Sequence, residues 1–254
     1  MKADGLIGQG DPAPIRAAGR SPAVLALHGF GGTPREVDLV ADVARELGLA
    51  ACAPLLPGHG TRVADLAERR WPDWASAAEA ELGALEGQVI VAGLSLGSLL
   101  AAHLAATRPE RVRGLVMLAN AAWLAAPTSW ALSAVDRFGL PDFWLPKVTS
   151  DIADPATRRT HLTYGAQPVR AAVSVLRAGA IVREELRLVR CPVFIAHGAR
   201  DRVCPVSNAR RVAARIGSTE KRVLILPRSR HIITRDLERA RLRVELESFL
   251  RDLC

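Results

Sequence analysis

A serine between two glycines, Gly93-Leu94-Ser95-Leu96-Gly97, is followed much later in the chain by Asp201 in GARDRVCP and by His231 in RSRHIITRD. Residues of these types in this order could carry out nucleophilic acyl transfer. A serine hydroxyl is a weak nucleophile at neutral pH, so a histidine must take its proton, and a carboxylate must fix the histidine tautomer and stabilise the imidazolium. Gly93 and Gly97 supply the clearance that a serine on a strained strand-to-helix turn requires. The tetrahedral intermediate further needs two amide donors aimed at its oxyanion. The Leu96 amide, at a helix N-terminus just after the serine, is one. Phe30, in His28-Gly29-Phe30-Gly31-Gly32, is the second, and its ring could also line the acyl site. Thr33, Pro34 and Glu36 then read as N-cap, N1 and N3 of a capping box that ends this glycine-rich loop.

Other titratable residues compete for these roles. His28 ends a strand, His59 lies in PGHG, His103 falls inside a helix, His161 lies in an irregular region and His197 precedes Gly198. None combines a position after the acid with a loop after the last strand, so each reads as structural. Asp236 rivals Asp201 as the acid, but it looks like the N-cap region of the final helix.

These residues have to be placed by regular elements. Apolar runs of strand length span 24–28, 49–53, 89–94, 112–119, 193–197 and 222–226. Between them, residues 35–47, 73–85, 96–107, 207–216 and 236–253 repeat apolar positions at three- and four-residue spacing. Near-continuous apolar strands separated by helices predict a mostly parallel sheet covered on both faces. Asp201 and His231 each follow a late strand, at the carboxyl edge where open α/β sheets place their sites.

The alternation lapses between Ala121 and Arg190. The reading is therefore a core of residues 1–121 and 191–254 with a small cap inserted at 122–190. Five aromatic residues of the cap, Trp123, Trp130, Phe138, Phe143 and Trp144, are expected either to wall an apolar acyl site or to hold the cap on the core.

With 49% hydrophobic and 24% charged residues the composition is that of a globular protein, which excludes disordered, collagenous and membrane classes. The N-terminal residues lack a signal-peptide core, and a cytoplasmic protein is expected. The net charge of +8 is almost wholly arginine interleaved with acids, a solvated surface and not a nucleic-acid-binding run. Weak contact with a lipid surface is allowed; stable membrane insertion is not expected. The four cysteines are scattered without a CxxC pair, which suggests neither a metal site nor a disulfide framework.

Together the motifs resemble the α/β-hydrolase superfamily, and within it the bacterial carboxylesterases and monoacylglycerol lipases. HGFGGTPRE is similar to that group's oxyanion loop, GLSLGS to its nucleophile elbow, ARDRVCPVSNA to its acid loop and SRHIITRDLE to its histidine loop, and LLPGHGTRVADLAERRWPDWASAAE also matches. The resemblance runs from about Ser21 to the C-terminus and is weakest across the cap. It implies an α/β-hydrolase fold with a cap forming the acyl tunnel. The implied activity is that of a serine hydrolase acting on small esters of short- to medium-chain acyl groups, monoacylglycerols included. Ser95, Asp201 and His231 would be the triad and Phe30 and Leu96 the oxyanion donors, with no metal or cofactor. Thioesterases, perhydrolases and carbon–carbon bond hydrolases share this arrangement, and a catalytically silent ligand-binding protein on the same fold is the non-enzyme alternative. Two departures stand out. Arg230 takes a place often held by glycine and could lower the histidine pKa, and Ser98 replaces a common second glycine after the elbow.

Overall fold

The computed structural model describes residues 4–147 and 149–254. Seven strands form the central sheet: β1 (Ile15–Ala17), β2 (Arg20–Leu27), β3 (Leu49–Ala53), β4 (Val89–Leu94), β5 (Val112–Leu118), β6 (Val193–Gly198) and β7 (Lys221–Leu226). Their order is β7-β6-β5-β4-β2-β3-β1, parallel throughout except for β1, which runs antiparallel to β3 at the edge. The strands expected from apolar runs are all present. The short edge strand β1 has no apolar run to announce it.

Alternate residues of each strand feed opposite faces, which is why the strand sequences are continuously apolar. Leu25, Leu27, Val89, Val91, Leu115, Met117 and Ile195 face one core. Helices α2 (Trp71–Ala84) and α3 (Leu96–Thr107) cover it. On the other face Val24, Ala26, Ile90, Ala92, Leu94, Val116 and Phe194 meet α1 (Asp38–Glu46) and the C-terminal helix at Arg239–Asp252. The chain crosses from one side of the sheet to the other around β4 and β2, so the loops leaving their carboxyl ends diverge and open a crevice at that switch point.

The segment after β5 carries two longer helices, α4 (Ala126–Arg137) and α5 (Val169–Glu185), with short strands between them. Leu132, Val135, Val169 and Val173 form a small core of their own between α4 and α5. The rest of α5 joins the main core through Val175, Ala178 and Val182. This segment is thereby packed onto the rest of the chain along α5.

Helix boundaries depart most from the periodicity at two places. Residues 34–37 form a 3-10 turn before α1, and the C-terminal helix begins at Arg239, after a 3-10 turn at Ile233–Arg235 that leaves Asp236 extended. Asp236 is therefore not the N-cap.

Candidate active site

Ser95 leaves β4 with φ 56 and ψ −114, a conformation costly for any residue with a Cβ. It is held by three bonds around it: Ser95 N donates to Leu118 O at 3.0 Å, Ser98 N to Ser95 O at 3.0 Å and Ser98 Oγ to Ser95 O at 2.6 Å. The departure at Ser98 thus adds a hydroxyl that fastens the elbow. Ser95 Oγ itself makes no hydrogen bond among the described residues and faces a cavity of about 260 Å³. His231 lines the same cavity.

The loop after β6 carries Asp201 and the loop after β7 carries His231. His231 Nδ1 lies 2.7 Å from Asp201 Oδ2, and the side chain of Asp201 is fully shielded from solvent. Oδ1 of the same carboxylate accepts from Val203 N and Cys204 N, both at 2.8 Å. His197 Nε2 adds a contact to Oδ2 at 3.0 Å while also lying 3.1 Å from Cys204 O. Both neighbours of Nε2 are acceptors, so this nitrogen carries the proton. Burial alone would raise the Asp201 pKa, but His231 and His197 outweigh it and hold the carboxyl below its usual range. Burial alone would lower the His231 pKa, and the Asp201 carboxylate outweighs that to raise it above 6.5. Arg230 does not depress it: its Nε sits 4.0 Å from Asp151 Oδ1, which engages that charge.

Two further acids position the histidine loop. Asp236 accepts from Arg230 N at 2.7 Å beside His231, and from Ala153 N and Asp154 N of the cap at 3.0 Å each. The Asp151 carbonyl accepts from His231 N at 3.1 Å and Ile232 N at 3.2 Å, and its side chain accepts from Arg202 N in the acid loop at 2.9 Å. Asp236 is thus neither a partner of the His231 ring nor a helix cap but a tie between the loop of His231 and residues 153–154. Its replacement by alanine strands several part-buried amides on both, at a cost of about 3 kcal/mol in all. A thermal melt should show Tm lower by roughly 6–12 °C for a chain of this size, with esterase kcat falling as the loop loosens. Unchanged melting and turnover would remove Asp236 from this role.

The glycine-rich loop is braced differently from the capping box expected of Glu36. Thr33 makes no side-chain cap bond. The Glu36 carboxylate instead folds back to accept from Gly29 N at 3.0 Å and lies 3.2 Å from His161 Nε2 of the cap. The 3-10 turn places it there, and a Cβ on Gly32 would stand 2.1 Å from its Oε2. Burial by itself raises its pKa, yet His161, His28 and Lys147 together bring it down to about 2, so Glu36 is an ionised brace. His28 donates from Nδ1 to Gly29 O at 2.9 Å and accepts from Leu56 N at Nε2 at 3.0 Å, which fixes a neutral ring. His59, pushed down to about 3 by burial, bonds through Nδ1 to Pro57 O, and His103 meets Glu185 at 2.8 Å.

Of the aromatic residues expected at the acyl wall, Trp123, Trp130, Phe138, Phe143 and Trp144, none lines the cavity. Trp130 and Phe138 are 73% and 71% exposed. On α4 the inward residues are Leu132 and Val135, and Trp130 lies about 200° around the helix from Leu132. Trp123 instead packs beneath Arg211, whose guanidinium carbon is 3.7 Å from the ring centroid. Its aliphatic lining includes Leu132 of α4, Ala172 and Val175 of α5, and Leu124 and Val203 from loops.

Comparison with known proteins gives the family and the fold. A family described as serine aminopeptidase, S33 (Hydrolase_4) matches residues 20–238. A thermostable monoacylglycerol lipase from Bacillus sp. (strain H-257) is 30% identical over 89% of this chain and 88% of its own length. A carboxylesterase from Bacillus subtilis (strain 168) is 23% identical over 95% of this chain and 97% of its own. Among solved structures, one from work on the metagenome-derived lipolytic enzymes LipS and LipT superposes with TM-score 0.87 at 30% identity, covering 95% of this chain and 98% of that one. The chain belongs to this serine hydrolase family, on the α/β-hydrolase fold, and is an enzyme of esterase or lipase type.

Proposed function

We propose that the protein hydrolyses carboxylic esters of short- to medium-chain acyl groups, monoacylglycerols among them, through an acyl-enzyme on Ser95. The observation that carries this reading is one cavity on which Ser95, His231 and Phe30 converge, with an aliphatic side for the acyl chain. Its volume of about 260 Å³ falls just below the usual range of small-molecule sites, which suits a short chain. Thr149, Ser150, Asp151 and Gln167 give the same cavity a second wall of mixed donors and acceptors, suited to a leaving alcohol with further hydroxyls. The named substrate of the Bacillus monoacylglycerol lipase supports the same choice.

In this reading His231, oriented by Asp201, takes the Ser95 proton as the serine oxygen attacks the ester carbonyl. The Phe30 and Leu96 amides stabilise the oxyanion. Phe30 N donates to no protein acceptor among the described residues, and Leu96 N opens α3, where the first amides have no helical partner. The imidazolium gives its proton to the leaving alcohol. Water then enters, His231 deprotonates it, and attack on the acyl-enzyme releases the acid and restores Ser95.

A fluorophosphonate probe should label the protein once, with the adduct mapped to Ser95. The esters of one acyl chain should be turned over faster than its thioester or its anilide, and p-nitrophenyl esters should show a maximum at short to medium chain length. Absence of the adduct would leave only a binding protein. Preference for the thioester or anilide would overturn the substrate class.

We also place the enzyme in the cytoplasm, in keeping with four free cysteines. No helix among the described residues is long and apolar enough to cross a membrane.

A further inference from the structure

We propose that two cap residues, Lys147 and Thr163, strengthen the oxyanion hole through a one-way chain of hydrogen bonds that ends at the Phe30 amide. The inference rests on the reading of Phe30 N as an oxyanion donor.

The chain can be followed bond by bond. Lys147 Nζ donates to Thr163 Oγ1 at 2.8 Å. The Thr163 hydroxyl, with its oxygen so engaged, donates to Gly31 O at 2.8 Å across the junction between cap and core. The peptide group that owns Gly31 O also owns Gly32 N, which donates to Gly29 O at 3.1 Å. The peptide group that owns Gly29 O owns Phe30 N. Every donor points the same way, from a cation in the cap to the amide offered to the oxyanion.

Two physical consequences follow. A peptide group is planar, so fixing its carbonyl fixes the direction of its N–H. Gly29 O is held by Gly32 N and by His28 Nδ1, at 3.1 and 2.9 Å, and the Phe30 N–H direction is set with it. Hydrogen bonds aligned in series also polarise one another, most strongly when the first donor is charged and water is excluded. Thr163 is almost fully buried. Lys147 has Glu36 as its carboxylate neighbour, but that carboxylate is occupied by Gly29 N and His161, so the amine remains available to Thr163. The cap thus does more than cover the acyl chain: its seating sets the geometry and strength of a catalytic amide.

The test compares Thr163→Val, which removes the hydroxyl at constant shape, with Thr163→Ser, which keeps it. A trifluoromethyl ketone that adds to Ser95 places an oxyanion in the hole, whereas the parent methyl ketone reports ground-state binding. In T163V, kcat for a p-nitrophenyl ester and affinity for the trifluoromethyl ketone should both fall about 10-fold, less than the ~10²–10³ lost when a donor is deleted outright. KM and methyl ketone affinity should change much less, and T163S should recover most of the loss. K147M should reproduce the T163V pattern in the ketone ratio. A lower Tm with an unchanged ketone ratio would make Thr163 merely structural and overturn the proposal, as would a loss of KM alone or a failure of T163S to recover. If the wild type itself forms no ketone or phosphonate adduct at Ser95, the triad reading falls first and carries this inference with it.

Discussion

Replacing Asp201 by asparagine should lower kcat/KM by about 10⁴-fold while leaving the protein folded, the loss expected when a triad histidine is held in the wrong tautomer. The asparagine oxygen can keep the bonds from Val203 N and Cys204 N. Its amide would then face His231 Nδ1 and His197 Nε2, both of which now donate to the carboxylate. His231 would answer by presenting Nδ1 as an acceptor, and the proton would move to Nε2, where the base must be free. The pH profile provides a second reading of the same change. In the wild type Asp201 raises the His231 pKa, so kcat/KM should rise with pH through an acid limb above 6.5. In D201N burial is opposed only by the smaller effects of the Asp151 and Glu36 carboxylates and the limb should move down, leaving a small residual rate with a more acidic onset. An acid limb that stays in place would mean that some other carboxylate, not Asp201, faces the base.

The same pair stabilises the fold in a pH window opposite to that of catalysis. A histidine whose folded pKa is raised contributes stability below its unfolded value of 6.5 and loses it as pH rises through the folded value. A carboxylate whose folded pKa is depressed contributes above 3.8 and loses it as pH falls. Both are charged, and the pair is fullest, between those limits, where the base is protonated and turnover is off. The site favours the imidazolium, which is its resting form at low pH and, in the proposed mechanism, the species formed as Ser95 loses its proton.

How much of this could be read in advance depends on whether a residue's role is local. β3 and β4 coincide with their apolar runs, and α3 spans the residues its periodicity marks, because continuous burial leaves a continuous pattern. Ser95, Asp201 and His231 stand out because each sits just beyond a strand, and the structure brings Asp201 and His231 into contact and puts Ser95 on the same cavity. Asp236, Asp151 and Glu36 are different. Their partners are backbone amides up to 83 residues distant in the case of Asp236, and nothing in a sequence marks an amide that needs an acceptor. Trp130 misleads for a related reason: bulk and apolarity predict burial on average, but α4 buries only one face, and Leu132 and Val135 take it, while Trp123 packs against the main core and not on the cavity.

The elbow gives the largest expected loss of stability. A Cβ on Gly97 would lie 1.9 Å from Leu27 O and 2.5 Å from Leu27 C, both backbone atoms of β2 that pair with β4 across the sheet and cannot yield. One on Gly93 would lie 1.9 Å from Gly97 O. Neither glycine has positive φ, so each is required for space alone and Ser95 bears the strained backbone. To admit Gly97→Ala, α3 would have to move away from β2 by more than an ångström, and Leu96 N and Ser95 Oγ would move with it, away from the Phe30 loop. The expected penalty exceeds ~4 kcal/mol, the range reserved for severe core clashes, and the variant should melt at least 10 °C lower or fail to accumulate. Whatever folds should react slowly with a phosphonate probe, since the nucleophile and its oxyanion donors part company. Gly83→Ala is the matched control: it lies in α2 with nothing within 4 Å of its new methyl group, and it should gain about 0.5–1 kcal/mol from helix propensity. A Gly97→Ala protein with wild-type melting and labelling would show that β2 and α3 do not approach this closely. The space at Gly93 and Gly97 would then be spare, and the strain at Ser95 would need another source.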